Sequence, residues 1–557
     1  MSIQYQRVLA IVLFFMACLA LHSPYANARG VWYVSATAPP EGDGSQEHPF
    51  NSLAAVEAAS APGDFIEILR SPADAPPLEG GIALKDGQHL IGSGPPVTGV
   101  PEDEPRAKIT NSGPDRYGGD AIVLADYNVV TNLHISNAHR AGIAAAGVKN
   151  PWIDGNLITG HNQGGFEGAV LSGFTLGETV VPEFPVGYGA IQITATGNQN
   201  MGVVYISQNV IRDAAGNGVL LNLAEDARAE LVLRRNIFED LTLGAGTLRP
   251  FRVVEAVLIE SEGNAHITTR ISDTSIDRIG SDSSNSDGIA FALDGSSVQH
   301  ATIRGLTYRN TTGVGGISAT GTELYIAQPS VGTQFDLRIK DADYRQMVSD
   351  GLQLSVLGSE AWVSVRIADS VITESKGSGQ IGGNAGNCLA VGNFGADNTI
   401  ALEVKRSDLI GCSAMGVLVQ NFGTLTDLEI NVARSTLSWN ALANFWTQIV
   451  GPIGNLAIRM EQNDVENDMA VNPDGAGIVL LDPGSNAMAS AIDLGGGSLG
   501  SFGLNRIVGN ATDVRVENLV VVAEENWWGD PTGPQNLELL GTASVDFDPF
   551  LTVDPRP

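Results

Sequence analysis

Short runs in which apolar and polar residues alternate recur along the chain, and most of them follow a glycine. Typical copies read NGVLLN, DGLQLSV and AGIVLLD. The glycines are Gly142, Gly218, Gly288, Gly316, Gly351, Gly416 and Gly477, with a looser copy at Gly189 and with Cys388 and Asn444 as substitutes. Alternation predicts strands that bury one face. Self-similarity at roughly 30 residues is typical of a solenoid.

A second apolar segment precedes the first at a constant distance. Its marker is a small polar residue flanked by apolar positions, found at Asn209, Thr307, Ser407 and Ser435. Asn and Ser between two strands favour a tight corner. We therefore expect these residues to form a stacked ladder of turns with a structural rather than a catalytic role.

Strands, corners and the lack of amphipathic helical connections together predict one fold. Each repeat forms one coil of a right-handed parallel β-helix, with about 14–17 coils in all. The predicted single domain covers residues 29–557, divided into an N-terminal cap and first strand (29–70), coils (71–519) and a C-terminal cap (520–557). In the N-terminal cap, PFNSLAAVEAA predicts a short helix that plugs the open end. The adjacent Trp527 and Trp528 are predicted to close the other end by covering the aliphatic stacks.

The first 28 residues have the pattern of a signal peptide. Arg7 precedes an apolar run from Val8 to Leu21, and Ala26-Asn27-Ala28 matches a cleavage site. No later stretch is apolar enough to predict a transmembrane helix. We expect an exported monomer, extracellular or periplasmic, that does not insert into the membrane after cleavage.

Charge narrows the range of partners. The chain has 62 Asp and Glu against 31 Lys and Arg, which argues against nucleic acid as a partner. A polysaccharide remains compatible, because even an acidic one needs only a local basic strip. After the signal peptide only Cys388 and Cys412 remain. Their positions differ by roughly 13 Å along an extended strand, so we expect two free thiols.

The two ends of the chain resemble those of secreted right-handed β-helix proteins of the pectin-lyase-like superfamily. The resemblance rests on YVS…GDGS…HPFNSLAAVEAA…PGDFIEIL and on ENWWGDPTGP…VDFDPFL. It implies the fold just described. It implies no single function, since the superfamily includes lyases, glycosidases, epimerases and adhesins.

Complete catalytic motifs of β-helix enzymes are missing from the sequence. NSDG (285–288) and RIK (338–340) resemble the first and last members of the polygalacturonase constellation, but 289–337 has neither an Asp-Asp pair nor a His between glycines. We therefore interpret both matches as coincidence. The D-P-H-D motif that is typical of alginate epimerases is also absent from the sequence.

Weaker candidates remain for catalysis and binding. The catalytic candidates are His139, His161, Arg338, Lys340, Arg366, Lys405 and Arg434. The substrate-binding candidates are Phe166, Phe174, Tyr188 and Arg459. The cations are predicted to fall on successive coils beside one strand of the repeat and so to form a cationic ladder along the rod. The alternative is a solvated face in which these cations pair with Glu403, Glu429 and Glu461. Asp282 and Asp287 lie in an oxygen-rich segment that forms either a calcium site or a polar turn.

These observations leave three hypotheses about function. The leading one is an exported protein that engages extracellular carbohydrate along its lateral face, without a recognisable catalytic set and without a cofactor other than calcium. The first alternative is a polysaccharide lyase that acts on an acidic glycan. The second is a structural surface rod or adhesin.

Overall fold

The computed structural model describes residues 29–99, 104–171, 174–176, 179–181, 184–241, 254–279, 286–309, 320–377, 386–467 and 473–556. The predicted signal peptide lies outside these residues. Within them, three parallel sheets of 17, 13 and 15 strands run side by side, which we name sheets 1, 2 and 3. Each strand pairs with strands of the preceding and following coils. The protein is therefore a right-handed parallel β-helix, and the predicted fold class is confirmed.

The strands of each sheet follow in chain order. Sheet 1 contains Val31–Val34, Phe65–Ile68, His89–Gly92, Val129–Thr131, Trp152–Asp154, Asn200–Ser207, Arg228–Arg234, His266–Ser272, Val298–Arg304, Gln334–Lys340, Trp362–Ala368, Thr399–Lys405, Thr426–Ala433, Ile453–Glu461, Ser490–Gly495, Val520–Ala523 and Ser544–Asp546. Sheet 2 contains Lys108–Ile109, His134–Ser136, Leu157–Thr159, Val210–Ala214, Ile237–Leu241, Ser275–Ile279, Thr307–Arg309, Asp343–Arg345, Val371–Thr373, Asp408–Ile410, Thr436–Ser438, Asp464–Glu466 and Arg506–Val508. Sheet 3 contains Ile82–Ala83, Ile122–Val123, Ile143–Ala146, Ile191–Ala195, Val219–Leu223, Val257–Ser261, Ile289–Leu293, Thr322–Ile326, Leu352–Val356, Leu389–Asn393, Met415–Asn421, Ala443–Ile449, Ala476–Leu481, Thr512–Glu517 and Leu537–Leu540.

Four further strands form two antiparallel pairs outside the coils. Glu167–Leu171 pairs with Phe184–Gly187, and Phe174–Leu176 pairs with Thr179–Val181. They belong to an insertion before the fourth strand of sheet 3. Two 3₁₀ turns, Val97–Gly99 and Tyr117–Gly119, complete the regular elements of the described residues.

The interior is a continuous apolar core to which inward positions of all three sheets contribute. Register pairs Val219 with Val257 and Val257 with Ile289, so like residues stack from coil to coil. Three details differ from the repeat frame read in the sequence. Gly321, not Gly316, aligns with Gly288, because Ile289 pairs with Thr322, and Gly316 lies outside the described residues. Ala190, not Gly189, aligns with Gly218, because Ile191 pairs with Val219. Thr307 is the first residue of the strand Thr307–Arg309 and therefore lies one residue after the corner. The constant spacing read in the sequence fails here because the connection after Arg309 is longer than that spacing assumed.

Both ends of the interior are covered. The helix Leu53–Ala59 begins at Ser52, whose hydroxyl accepts a hydrogen bond from the Ala55 amide (3.3 Å), and buries Leu53 and Val56. At the other end Trp528 is only 3% exposed and joins the core. Trp527 is half-buried, and its backbone bonds to the neighbouring coil at Asn505 and Ile507. Neighbouring residues of an extended segment face opposite sides, so only one tryptophan of the pair lies in the core.

The prediction of free thiols is wrong. Cys388 and Cys412 form a disulfide, with Cα atoms 5.6 Å apart. The predicted offset assumed a straight chain, but Cys412 follows the strand Asp408–Ile410 at the corner between sheets 2 and 3. The chain turns there, and the turn places Cys412 beside Cys388, the residue that precedes the strand Leu389–Asn393.

Removing this bridge is expected to destabilise the protein. The bridge spans 24 residues of sequence, for which the chain-entropy model gives about 3 kcal/mol of stabilisation. The double variant Cys388→Ser/Cys412→Ser should melt several degrees lower in thermal unfolding. Reductant should lower the melting temperature of the natural protein and leave that of the variant unchanged. Alkylation of either cysteine in the unreduced, denatured protein would contradict the bridge.

Candidate functional site

Variation in chain length is concentrated at one corner of the coil. Connections from sheet 1 to sheet 2 are two residues long in most coils, for example 208–209, 235–236 and 273–274, and are longer only near the two ends, at 93–107 and 496–505. Connections from sheet 2 to sheet 3 include 160–190, 242–256, 310–321 and 374–388. Loops carried by a rigid scaffold commonly provide binding and catalytic groups. We therefore built the candidate site from the residues at the sheet 2–sheet 3 corner and on the adjoining outer face of sheet 3.

Several sequence candidates meet at the early coils of this corner. The ring of His139 contacts that of Phe166 edge-to-face, with centroids 5.2 Å apart. The guanidinium of the next residue, Arg140, lies over the ring of Tyr188 at 5.2 Å. Arg140 donates to both carboxylate oxygens of Asp120 (2.8 and 2.5 Å), which fixes the guanidinium plane. All but Asp120 are half-buried.

A second arginine–aromatic pair extends this group by one coil. Arg116 lies over the ring of Tyr117 at 4.9 Å. Glu57 of the N-terminal helix accepts hydrogen bonds from Arg116 (2.9 Å) and from the Tyr117 hydroxyl. We call the exposed faces of Tyr117, His139, Arg140, Phe166 and Tyr188 the aromatic surface.

One other candidate, His161, lies apart from the aromatic surface. His161 is fully buried against the backbone of Tyr188 and Asn217, and burial lowers its pKa to about 4. The imidazole is therefore neutral and supports the loop from inside. Phe174 begins a strand of the outer hairpin, where the structure describes the backbone alone.

The cationic ladder is interrupted and largely neutralised. Arg338 aligns with Arg366 on the outer face of sheet 1, but the next two coils place Glu403 and Asn431 in that column before Arg459. The cations contact acidic groups as follows: Arg338 with Asp336, Lys340 with Asp369, Lys405 with Glu403 and Arg459 with Glu461. Arg434 donates to Gln462 in the turn after the strand (2.8 Å). This face has the arrangement of a solvated surface of ion pairs.

The outer face of sheet 3 is divided into three zones along the axis. Leu220, Leu258 and Ala290 form an apolar cluster with Val186 of the insertion. Leu418 and Val479 belong to a second apolar cluster farther along. Between them lies a polar floor of half-buried side chains from two adjacent strands, namely Glu323, Tyr325, Gln353 and Ser355.

Buried carboxyl groups border this floor at the corner. Glu255, Asp287 and Asp350 each precede a strand of sheet 3 and are at most 1% exposed. Burial, reinforced by neighbouring carboxylates, raises the pKa of Glu255 and Asp287 well above the usual range and that of Asp350 to about 7. Glu323 is a source of repulsion for all three. We call Glu255, Asp287, Glu323 and Asp350 the carboxyl cluster.

Backbone donors hold the cluster in place. One oxygen of Asp287 accepts from the Thr320 amide (2.8 Å), and the Asp287 amide donates to Glu255. One oxygen of Asp350 accepts from the amides of Gly386 (3.0 Å) and Asn387 (2.6 Å). The other oxygen of Asp350 finds no hydrogen-bond partner among the described residues.

The structure describes only one of the two predicted calcium ligands, Asp287. Asp282 lies outside the described residues. Asp287 is buried and lies within hydrogen-bonding reach of Glu323. Among the described residues no group of three or more His, Cys, Asp or Glu is arranged to hold a metal ion.

Sequence reasoning missed Asp120, Glu255, Glu323 and Asp350. A signal was present for part of the cluster, because SDG occurs at 286–288 and again at 349–351, each time before a strand of sheet 3. The remaining members are single acidic residues, and only the stacking of coils brings them beside Asp287.

The fold defines the class: a right-handed parallel β-helix. No family model and no curated protein matches the chain. Among solved structures it resembles the A-module of a mannuronan C-5 epimerase from Azotobacter vinelandii, at 10% identity and TM-score 0.30, covering 93% of this chain and 99% of that one. It also resembles a periplasmic alginate epimerase (10%, 0.24, 62% and 77%) and a lacto-N-biosidase from Eubacterium ramulus (12%, 0.32, 83% and 66%). At these identities and TM-scores the likenesses add nothing about function. None of the described helices is long and apolar enough to cross a membrane.

The carboxyl cluster should make stability fall as pH rises. A carboxyl whose folded pKa is raised contributes stability below its unfolded pKa near 4, and this contribution is lost as pH rises through the folded pKa. For Asp350 the window runs from about 4 to about 7. Asp350→Asn should therefore be more stable than the natural protein at pH 8 and show a flatter profile of melting temperature between pH 4 and 8. The control Asp530→Asn, at a half-buried aspartate outside the cluster, should keep the natural slope. Equal slopes for Asp350→Asn and the natural protein would contradict the raised pKa.

Proposed function

We propose that the protein is an exported glycan-binding β-helix that holds a polysaccharide along the sheet 2–sheet 3 corner, with the aromatic surface as its principal contact. The observation that carries this proposal is the convergence of half-buried aromatic rings with Arg140. The rings offer apolar faces for the C–H side of a sugar, and the polar edges offer hydrogen bonds to its hydroxyls.

The rigidity of this surface supports the proposal. The Asn162 side chain donates a hydrogen bond to the Phe166 carbonyl (3.0 Å) and accepts one from the Phe166 amide (2.7 Å). The buried Asp120 carboxylate holds the Arg140 guanidinium by hydrogen bonds. A surface held in its binding geometry loses little conformational entropy when a ligand binds. The position of the surface at the corner with the longest connections favours binding over a purely structural rod.

The lyase alternative receives less support. It needs free cations to neutralise a uronate carboxylate, and most cations of the predicted ladder already contact carboxylates. Arg140 is also paired, with Asp120. These pairs favour recognition of sugar rings and hydroxyls over abstraction of a proton beside a carboxylate.

Export is part of the proposal and rests on the N-terminal sequence pattern together with a disulfide that fits an oxidising compartment. Mass spectrometry of the protein recovered from the periplasm or medium should find an N-terminus at Arg29. Recovery of a chain that still begins at Met1 would contradict signal cleavage.

Binding should depend on the aromatic surface and not on the cationic ladder of sheet 1. Retention of the purified protein is measured by affinity electrophoresis in gels containing alginate, polygalacturonate, hyaluronate, xylan or laminarin. Tyr188→Ala and Phe166→Ala should each weaken retention about tenfold, as expected when a central aromatic contact worth roughly 1–2 kcal/mol is lost. Arg338→Ala is the matched control and should bind normally. Loss of retention in the Arg338 variant alone would favour the ladder, and absence of retention on every glycan would overturn the proposal.

A further inference from the structure

We propose that Glu323 and Asp287 form a proton-sharing carboxyl pair that acts as the general acid in hydrolysis of a glycosidic bond, at the polar floor of sheet 3. This inference goes beyond binding and gives the protein a catalytic activity. It uses the carboxyl cluster, which the proposed function leaves without a role.

The pair is created by the stacking of two coils. Ile289 pairs with Thr322 and Ala290 with Glu323, so Asp287 at the corner and Glu323 on the sheet belong to adjacent coils about 4.8 Å apart. Their carboxyl groups lie within hydrogen-bonding reach of each other. Two ionised carboxylates repel and have no donor between them, so this contact requires one proton.

Burial and the neighbouring carboxylates raise the pKa of Asp287, so the surroundings disfavour loss of that proton. The charges that act on Asp287 come from Glu255 and Glu323, and those on Glu255 come from Glu323. No lysine or arginine is among them. The pair is backed on the interior side by Tyr308, whose hydroxyl is fully buried, and borders Tyr325 on the outer side. A carboxylic acid kept protonated near neutral pH is the group that protonates a leaving oxygen.

One member of the pair faces outward. Glu323 alternates with the inward Thr322, which hydrogen-bonds Tyr344 in the core (2.9 Å), and with the buried Leu324. Glu323 is half-buried beside Gln353 and Ser355. The fully buried Asp287 lies behind it and holds the shared proton, so Glu323 is the member that reaches a ligand.

Unsatisfied polar atoms mark this place as a ligand site independently of the charges. The Tyr308 hydroxyl, the Thr320 hydroxyl and one oxygen of Asp350 have no hydrogen-bond partner among the described residues. The ring of Tyr308 packs where a side chain on Gly288 would lie, next to Asp287. Leaving a buried polar atom unpaired is costly, and water or sugar hydroxyls supply the missing donors and acceptors.

The reaction balances with water as the only co-reactant. The pair gives its proton to the glycosidic oxygen as the bond from that oxygen to the anomeric carbon breaks. A water oxygen bonds to the anomeric carbon and releases a proton, which restores the protonated pair.

The position of the pair fits a glycan held as proposed above. From Tyr188 to Glu323 is four coils along the same corner, or about 19 Å. A chain that lies on the aromatic surface and runs along the axis therefore reaches the carboxyl pair. The inference rests on the proposed function to this extent, but hydrolysis can be measured without it.

The test follows products and binding on the same five glycans, in water enriched in ¹⁸O. Hydrolysis places one ¹⁸O at each new reducing end, detected by mass spectrometry. Glu323→Gln should lower the rate by 10²–10⁴, the usual contribution of a general acid, while retention on the gels stays natural. Asp287→Asn should cause a similar loss. The matched control is Glu260→Gln, since Glu260 is also buried on sheet 3 and bonded to Asn222 (2.8 Å) but lies outside the cluster. It should hydrolyse at the natural rate.

A second readout separates acid catalysis from a structural effect. An activated aryl glycoside of the released sugar, such as its 4-nitrophenyl derivative, needs little protonation of the leaving group. The rate lost in Glu323→Gln should largely return on this substrate, whereas a distorted site would remain slow. Melting temperatures of all variants show whether each one is folded.

The outcomes distinguish the two proposals. Retention with ¹⁸O incorporation supports both, and incorporation without retention supports hydrolysis alone. Retention of intact polymers overturns the acid pair and leaves the binding proposal in place. Unsaturated products without ¹⁸O show elimination and also overturn it. Neither retention nor cleavage on any of the five glycans overturns both.

Discussion

The structure depends on one constraint: no coil can satisfy the hydrogen-bonding groups of its own backbone. Each strand donates and accepts hydrogen bonds only with the coils before and after it, so the register of one coil fixes that of the next. Side chains at the sheet 1–sheet 2 corner reinforce this coupling. The Asn209 amide bonds to the side chain of Asn236 (3.0 Å), and the same contact links Asn463 to Asn505 and Asn505 to Asn526. This column of asparagines thus reaches Asn526, the residue before the Trp pair, and joins the C-terminal cap to the coils.

This coupling decides where the chain is free to vary. A change in length inside a strand would shift the side chains that follow it in that strand to the wrong face. The sheet 2–sheet 3 corner tolerates insertions, because its connections leave the stack and return to it. The aromatic surface and the carboxyl cluster both lie there. A rigid ladder on one corner and adaptable connections on another are the arrangement expected of a scaffold that presents binding groups.

The same stacking produces the electrostatics of the site. Acidic residues far apart in the sequence come to lie one coil from each other, with burial that disfavours their ionised forms. The backbone amides of Thr320, Gly386 and Asn387 offset part of this cost, and protons offset the rest. On sheet 1, by contrast, cations and carboxylates alternate in the open and neutralise each other. An acidic protein thus has one face of ordinary ion pairs and one corner of buried carboxyl groups, where the pKa values of Glu255, Asp287 and Asp350 are raised.

The sequence by itself determined the fold, because a periodic alternation of apolar residues with Asn and Ser corners has only one way to bury its apolar face. It also determined the helical plug and the candidate residues His139, Phe166 and Tyr188. It did not determine the disulfide, since the distance between Cys388 and Cys412 depends on a corner that no local pattern marks. The carboxyl cluster was likewise decided by tertiary structure. Asp287 and Glu323 become partners only through the register between coils, and that register depends on the lengths of connections whose sequences have no repeat.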